Sequence, residues 1–482
     1  MKEFAYKLVM GIASKDIPRD KRDIVNDLIA LGVVSDSKII KLKSKYRIGK
    51  VDLTKKGFGF LIPLGVKEKD YLIESHHLNG AGNGDLVVAQ RLFNKSGRPK
   101  AKVIYILEKA FRVSVVYLTF EYKNNKKVPV LRNIKTNLEV YVVEKKKTLK
   151  KLPEGAVFKV DNYTNKIVEV LGVLDDPWVD DKISLALYNK KEEFSKKAIA
   201  EAKAYGDYVE KEYYPNRVDL TYLAFCTIDP PTAKDHDDAI YFDKEKNELY
   251  VAIADVSEYV FLNSNIDREA KERGFSIYFP HKSVPMLPRE LSENLCSLKE
   301  NQDRLAFVFK IKLDSNNNVI KEELFEAIIK SKRKYSYEKV DEFLEGNFKE
   351  CDEVDNEILE WLMPLWERVK HIRSTRLKKG LDFSSDEIKM VLNDKGLIED
   401  VKTEEETPSH KLIEDCMLLA NKAAANMIDY GIFRIHEKPT QNSLDALYEA
   451  LGALNINVNV DEKDFVKVVA DIQKQAKMLG IE

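Results

Sequence analysis

Residues 227–243 read TIDPPTAKDHDDAIYFD. The apolar run AFCTIDP (224–230) has the character of a strand that must stop at Asp229, because two successive prolines lack the N–H groups a ladder needs. Asp235, Asp237 and Asp238 follow before AIYFD (239–243) resumes a strand. Carboxylates crowded this closely repel one another and rise in pKa unless cations neutralise them. Hard divalent ions take oxygen ligands, and Mg²⁺ shares its shell with water and phosphate, so the stretch is material for a phosphodiester-cleaving centre. The bland alternative, an acidic surface turn, fits poorly with an aspartate at a strand end beside prolines. An EF-hand is excluded, since the loop has no Gly at the sixth position and no Glu at the twelfth. His236, lying between two acids, has no second His or Cys near it for zinc and reads as an incidental neighbour.

Around this stretch, AFCTIDP, AIYFD, ELYVAIADV (248–256) and FVFKIKL (307–313) give way to helical patterns at 338–378 and 408–428, so residues 218–482 read as an α+β domain. The N-terminal part differs in charge. Residues 1–170 carry 35 Lys and Arg against 18 Asp and Glu, net +17, while 171–482 carry 44 against 62, net −18. A basic platform joined to an acidic half suits polyanion binding beside a cation-using site. With 44% hydrophobic and 33% charged residues the chain is globular rather than disordered. The four cysteines are far apart, with no C-x-x-C pair, and read as reduced buried thiols rather than disulfides or a zinc site. Glu3 and Lys7 interrupt any signal-like apolar run, and no stretch of 18 apolar residues occurs, which points to a cytoplasmic protein without a membrane partner.

Five segments are expected. Residues 1–45 carry helical spacing at Ile24, Leu28, Ile29 and Leu31 and a second helix-like run at 36–40, as in a small helical or winged-helix-like unit. In 46–100 the period changes to two, through RIGKVDLTKKGFGFLIP, KDYLIES and GDLVVAQRLF, a small β-barrel signature. Residues 101–175 repeat the theme (VIYIL, RVSVVYLTF, VPVLR, LEVYVVE, GAVFKV) and predict a second five-strand barrel. A helical connector, 176–217, leads to the domain at 218–482. In the first barrel GFGF sets Phe58 and Phe60 on one strand face, with Tyr71, Lys50, Lys55, Lys56 and Lys67 around them. Aromatic faces bordered by cations stack single-stranded bases with little sequence preference; barrel core is the competing reading for the same rings. Lys145, Lys146, Lys147, Lys150 and Lys151 add a phosphate-attracting patch.

KKGFGFLIP and DYLI resemble the cold-shock domain, an OB fold. TIDPPTAKDHDDA resembles the four-aspartate signature of the RNase II and RNase R exoribonucleases, and VAIADVSEYV, the long run from Ile266 to Phe307, GLDFSSDE, LIEDCMLLANKAAA and FRIHEKP agree with that family along nearly the whole chain. The resemblance implies two cold-shock-like barrels before an RNase II-type catalytic domain that hydrolyses RNA processively from a single-stranded 3′ end to nucleoside 5′-monophosphates. It assigns Asp229, Asp235, Asp237 and Asp238 to two Mg²⁺ ions, with Mn²⁺ as the alternative, and gives the chemistry to Asp237 and Asp238. Tyr278, Tyr337 and Phe383 match the family's nucleotide-contacting aromatics, and Glu414 a glutamate near the terminal nucleotide, with Asp415 as its rival. The chain ends at AKMLGIE, before the family's S-P-I-R-R-Y-type segment and its C-terminal OB fold. The catalytic domain is therefore expected to be incomplete and its activity reduced. A non-catalytic single-stranded RNA-binding protein is the competing expectation.

Overall fold

The computed structural model describes residues 1–482 apart from 55, 56, 66, 67, 93–98, 124, 379, 381–386, 405, 436, 438, 459–464, 481 and 482. Two compact units divide the chain: Met1–Glu192 with Lys395–Leu397, and Glu193–Asp394 with Ile398–Glu482.

In the first unit, α1 (Lys2–Met10) and α2 (Arg22–Ala30) bury Phe4, Leu8, Val25 and Leu28. These side chains share one core with Ile48, Val88 and Leu107 of the adjoining barrel, so residues 1–45 complete that barrel's packing rather than standing apart. The helix expected at 36–40 is extended instead, with Ile39–Ile40 pairing antiparallel to Ile12–Ala13. The Ser35 and Ser37 hydroxyls both donate to the Ile39 carbonyl, which offers the backbone an alternative to a helix.

The barrel is built from β1 (Tyr46–Leu53), β2 (Gly59–Pro63), β3 (Tyr71–Ile73), β4 (Leu86–Leu92) and β5 (Lys100–Glu108), closed in the order β1-β2-β3-β5-β4. Gly49 permits the β1–β2 crossing, since an added Cβ would lie 2.3 Å from the Ile62 carbonyl oxygen. The VIYIL segment, expected in the next domain, is the closing strand here: Val103 fills this barrel's interior and Leu107 joins the core shared with α1 and α2.

The second domain also departs from expectation. Among the described residues it has four strands in one sheet where five were expected: β6 (Val113–Lys123), β7 (Lys126–Asn133), β8 (Ala156–Asp161) and β9 (Lys166–Val173), in the order β9-β8-β6-β7. LEVYVVE contributes one isolated bridge, Arg132 to Glu139. Asn133 accepts from the backbone N–H groups of Lys135 and Thr136 and Asn137 takes φ 58°, so the chain turns tightly back on β7, pairs with it briefly through Leu138 and Val140, and buries Val142. The connector is shared out: α3 (Val179–Leu187) packs on Val115, Val157 and Leu171 of this sheet, while α4 (Lys196–Lys203) buries Ala198 and Ala202 in the core of the second unit.

That unit centres on β10 (Val218–Asp219), β11 (Phe225–Asp229), β12 (Asp238–Asp243), β13 (Glu248–Ala254), β14 (Asp303–Leu313) and β15 (Val319–Ser336), ordered β10-β15-β11-β12-β13-β14. The long β15 pairs antiparallel with β14 and then, from Ser331, parallel with β11. Alternation along the strands serves two cores. Phe225, Ala239 and Ala252 face α4 and α5 (Asn265–Arg273), whereas Cys226, Ile228, Ile240 and Phe242 face α6 (Tyr337–Leu344), α7 (Glu353–Leu377) and α8 (Pro408–Met427). The pattern at 338–378 thus resolves into two helices, broken near Gly346 at φ 84°. A hairpin, Glu387–Leu392 with Ile398–Glu404, precedes α8; α9 (Gln441–Ala453) and α10 (Phe465–Met478) follow. Among the described residues no helix is long and apolar enough to cross a membrane.

Candidate active site

Asp229 is the last residue of β11, level with Ser336 of β15, and the prolines after it end the ladder as their missing N–H groups require. β12 begins at Asp238. Since Cys226 lies opposite Ile240, the antiparallel register brings Asp238 beside the end of β11 and therefore beside Asp229. The intervening loop has no regular structure but is tied down on several sides. Lys334 Nζ donates to the carbonyls of Ala233 (2.8 Å) and Pro231 (3.3 Å). The Ser297 hydroxyl donates to the Lys234 carbonyl (2.8 Å) and accepts from the His236 N–H (3.1 Å). The Leu298 N–H donates to the His236 carbonyl (2.8 Å), and the Ala254 N–H to that of Asp237 (2.9 Å).

Partial desolvation of the carboxyl group, reinforced by Asp235 and Asp229, pushes Asp237 up to about 6 although the residue as a whole is exposed. Burial, reinforced by Asp229 and Asp237, pushes Asp238 up to about 7. These are the consequences expected of like charges held together in a partly desolvated place. The donor set is all hard oxygen, and no three of the aspartates bring ligand atoms within 4.8 Å of one another. A closed protein cage is thus absent among the described residues. An open set of carboxylates fits Mg²⁺, which keeps waters and binds through one or two carboxylates together with substrate phosphate. The trio of potential ligands that does converge is Glu74, His76 and His77 in the first unit, where Lys100 Nζ already lies 2.6 Å from the Glu74 carboxylate.

Two of the expected aromatic residues stand at the acid loop. Tyr278 lies on a short strand, with its ring exposed and its hydroxyl donating to Asp235 Oδ2 at 2.8 Å; partial desolvation of the hydroxyl and this bond push it up to about 12. Tyr337 opens α6, one residue beyond Ser336. Burial, with Asp229 and Asp238 nearby, pushes it up to about 12, and its ring stacks on His410 with centroids 3.9 Å apart. Glu414 is exposed on α8 and paired with Arg373 at 2.6 Å, whereas the rival Asp415 is 1% exposed and held by Arg373 (2.9 Å) and Arg376 (3.0 Å). Phe383 lies outside the described residues.

In the first barrel Phe58 and Phe60 are half-buried and meet edge to face at 5.7 Å, while Gly57 and Gly59 face inward. Tyr71 departs from the expected platform. It is 4% exposed, packs with Val51, Leu61 and Ile73 inside the barrel, and gives its hydroxyl to Glu68. Lys50 is exposed; Lys55, Lys56 and Lys67 lie outside the described residues. The patch from Lys145 to Lys151 is exposed apart from buried Leu149. Sequence reasoning missed Ser297, Lys334, Arg373 and Arg376, which carry no local motif. It passed over His236, whose ring is buried against Asp229 with Nδ1 2.8 Å from Oδ2.

Comparison with known proteins sets this geometry in a family. Residues 217–480 match the RNB domain, 115–185 the Ribonuclease R second OB domain, and 3–102 the Ribonuclease R, OB first domain, N-terminal. Ribonuclease R of Helicobacter pylori is 35% identical over 492 residues, covering 100% of this chain and 74% of that protein. Mycoplasma genitalium RNase R in complex with ribose methylated single-stranded RNA superposes with a TM-score of 0.76 at 29% identity, over 89% of this chain and 70% of that one. Yeast Ssd1, a pseudonuclease, shares the fold with a TM-score of 0.63 at 16% identity, over 96% of this chain and 64% of its own. The matches to all three domain models and to a relative spanned over most of its length make the chain a member of the ribonuclease R family.

Proposed function

We propose that this chain degrades RNA processively from a single-stranded 3′ end, releasing nucleoside 5′-monophosphates in cytoplasmic RNA turnover. Family membership makes it a 3′-to-5′ exoribonuclease, a hydrolase acting on RNA. The observation that carries the mechanistic reading is the acid loop itself, with Asp229 and Asp238 at adjoining strand ends and Asp235 and Asp237 between them. Asp229, Asp235, Asp237 and Asp238 would hold two divalent ions, Mg²⁺ by preference. Such ions activate water and stabilise the leaving 3′ oxygen when bound.

The chain's own residues do the rest. Backbone bonds to Ser297, Leu298, Ala254 and Lys334 fix where the carboxylates stand. Tyr278, exposed beside Asp235, offers a ring for a terminal base, and Tyr337 lines the opposite strand end. Phe58 and Phe60, with the Lys145–Lys151 patch, retain the strand by stacking and phosphate contact.

An RNA-binding protein without catalysis is the second reading, favoured by the fold shared with a pseudonuclease. Digestion of 5′-labelled single-stranded RNA decides. Conversion of full-length RNA to a short 5′-labelled end product, with nucleoside 5′-monophosphates released in Mg²⁺, supports the nuclease; binding of RNA that stays intact supports the binder.

A further inference from the structure

We propose that His236 is a positioning residue that orients Asp229 toward the cation held by the acid loop, an inference that rests on the metal reading given above. In the stretch from Asp235 to Asp237 the chain turns one side chain inward while its neighbours look out. His236 is 5% exposed, Asp235 is half-buried and Asp237 is exposed. The His236 backbone is clamped on both sides, its N–H donating to Ser297 Oγ at 3.1 Å and its carbonyl accepting from the Leu298 N–H at 2.8 Å. The backbone that carries the ring is therefore fixed, and the ring itself is buried. Its Nδ1 lies 2.8 Å from Asp229 Oδ2.

An ionised carboxylate can only accept, so the imidazole presents Nδ1–H to it. That bond engages Oδ2 and leaves Oδ1 to meet a cation. Tyr278 does the same for Asp235, its hydroxyl donating to Oδ2 at 2.8 Å. Two acids of the loop are thus each held by one oxygen, which is how partners outside the ligand set align a metal-binding carboxylate.

A buried histidine that merely fills space would be replaceable by any ring of similar volume, and this separates the two roles. His236→Phe keeps the volume and deletes the donor; His236→Asn keeps an N–H close to the Nδ1 position and gives up the ring. Mn²⁺ uptake by the purified chain, read from the electron paramagnetic resonance signal of the free ion, measures the site without recourse to catalysis. The expected result is a loss of affinity of roughly 10–100-fold in His236→Phe, with His236→Asn close to wild type and both variants melting cooperatively in chelator. Equal affinity in wild type and His236→Phe, or an equal loss in the Phe and Asn variants, overturns the positioning role. Asp237→Asn measured in parallel tests the reading beneath it: undiminished Mn²⁺ uptake by that variant would show that the ion sits elsewhere, whatever His236 does.

Discussion

The acid loop of the second unit and the GFGF strand of the first barrel both present side chains to RNA in our reading, yet they are built in opposite ways. The acids sit on a segment without regular structure whose backbone is tied to Ser297, Leu298, Ala254 and Lys334. Phe60 sits in a regular ladder, opposite Asp52 and Leu72, and with Phe58 forms an edge-to-face pair that stays half open. Chemistry tolerates little misplacement, because small shifts of reacting groups cost orders of magnitude in rate. Stacking on a π-face is tolerant of register. In the proposed function, dense fixing of an irregular loop goes with the breaking of bonds, and loose presentation on a regular strand with holding the substrate.

The contrast breaks most visibly under Asp238→Asn, which changes charge with little change of shape. Cleavage should fall on the order of 10³-fold while RNA affinity, measured by fluorescence anisotropy, stays near wild type; a parallel fall in affinity would merge the two regions' roles. Within the second unit, Asp415→Asn removes a buried carboxylate from two guanidinium groups and should destabilise by about 3–5 kcal/mol in thermal melts. Glu414→Gln, on the exposed side of α8, should leave the melt almost unmoved and weaken RNA binding. If Glu414→Gln proves the more destabilising, their assignment as contact and scaffold is reversed.

On the barrel side, Phe58→Leu with Phe60→Leu should weaken single-stranded RNA binding by roughly 1–3 kcal/mol per stacked base lost and leave the salt dependence intact. Alanine at Lys146 and Lys147 should instead reduce the salt slope by about one per phosphate contact removed. The smallest effect concerns Glu68, which accepts from Arg47 (2.7 and 2.8 Å) and from Tyr71, contacts that hold its carboxyl down at about 2. A depressed carboxyl stabilises the fold above its usual 4.5, and that contribution is lost as pH falls toward 2. Wild type should therefore melt slightly above Glu68→Gln at neutral pH, the gap being modest because the side chain is partly solvated, and the gap should close on acidification. A gap that widens in acid would contradict the sign.

The α+β nature of the second unit and its acid loop were legible in the sequence, because proline punctuation and alternating apolar runs act locally. VIYIL fits either barrel in the sequence, because a strand's period shows its faces but not its partner; contacts place it in the first. LEVYVVE is a strand only at its start, which contacts alone reveal: after the Asn133 turn its backbone bonds to β7 reach Val140. Tyr71 was grouped with Phe58 and Phe60 by proximity, although β3 turns its ring into the core. His236 looked incidental because its partner, Asp229, is reached only once β11 and β12 lie side by side.

The central claim, that hydrolysis belongs to cations held by the acid loop while retention of the strand does not, is tested most directly by titrating Mg²⁺ into chelator-treated protein with 5′-labelled RNA and reading cleavage and binding in the same samples. The account predicts that RNA is bound throughout, that no 3′-end shortening occurs in chelator, and that the short 5′-labelled end product forms as Mg²⁺ is added to wild type but not to Asp237→Asn. Shortening in chelator, or undiminished shortening by Asp237→Asn, would contradict it.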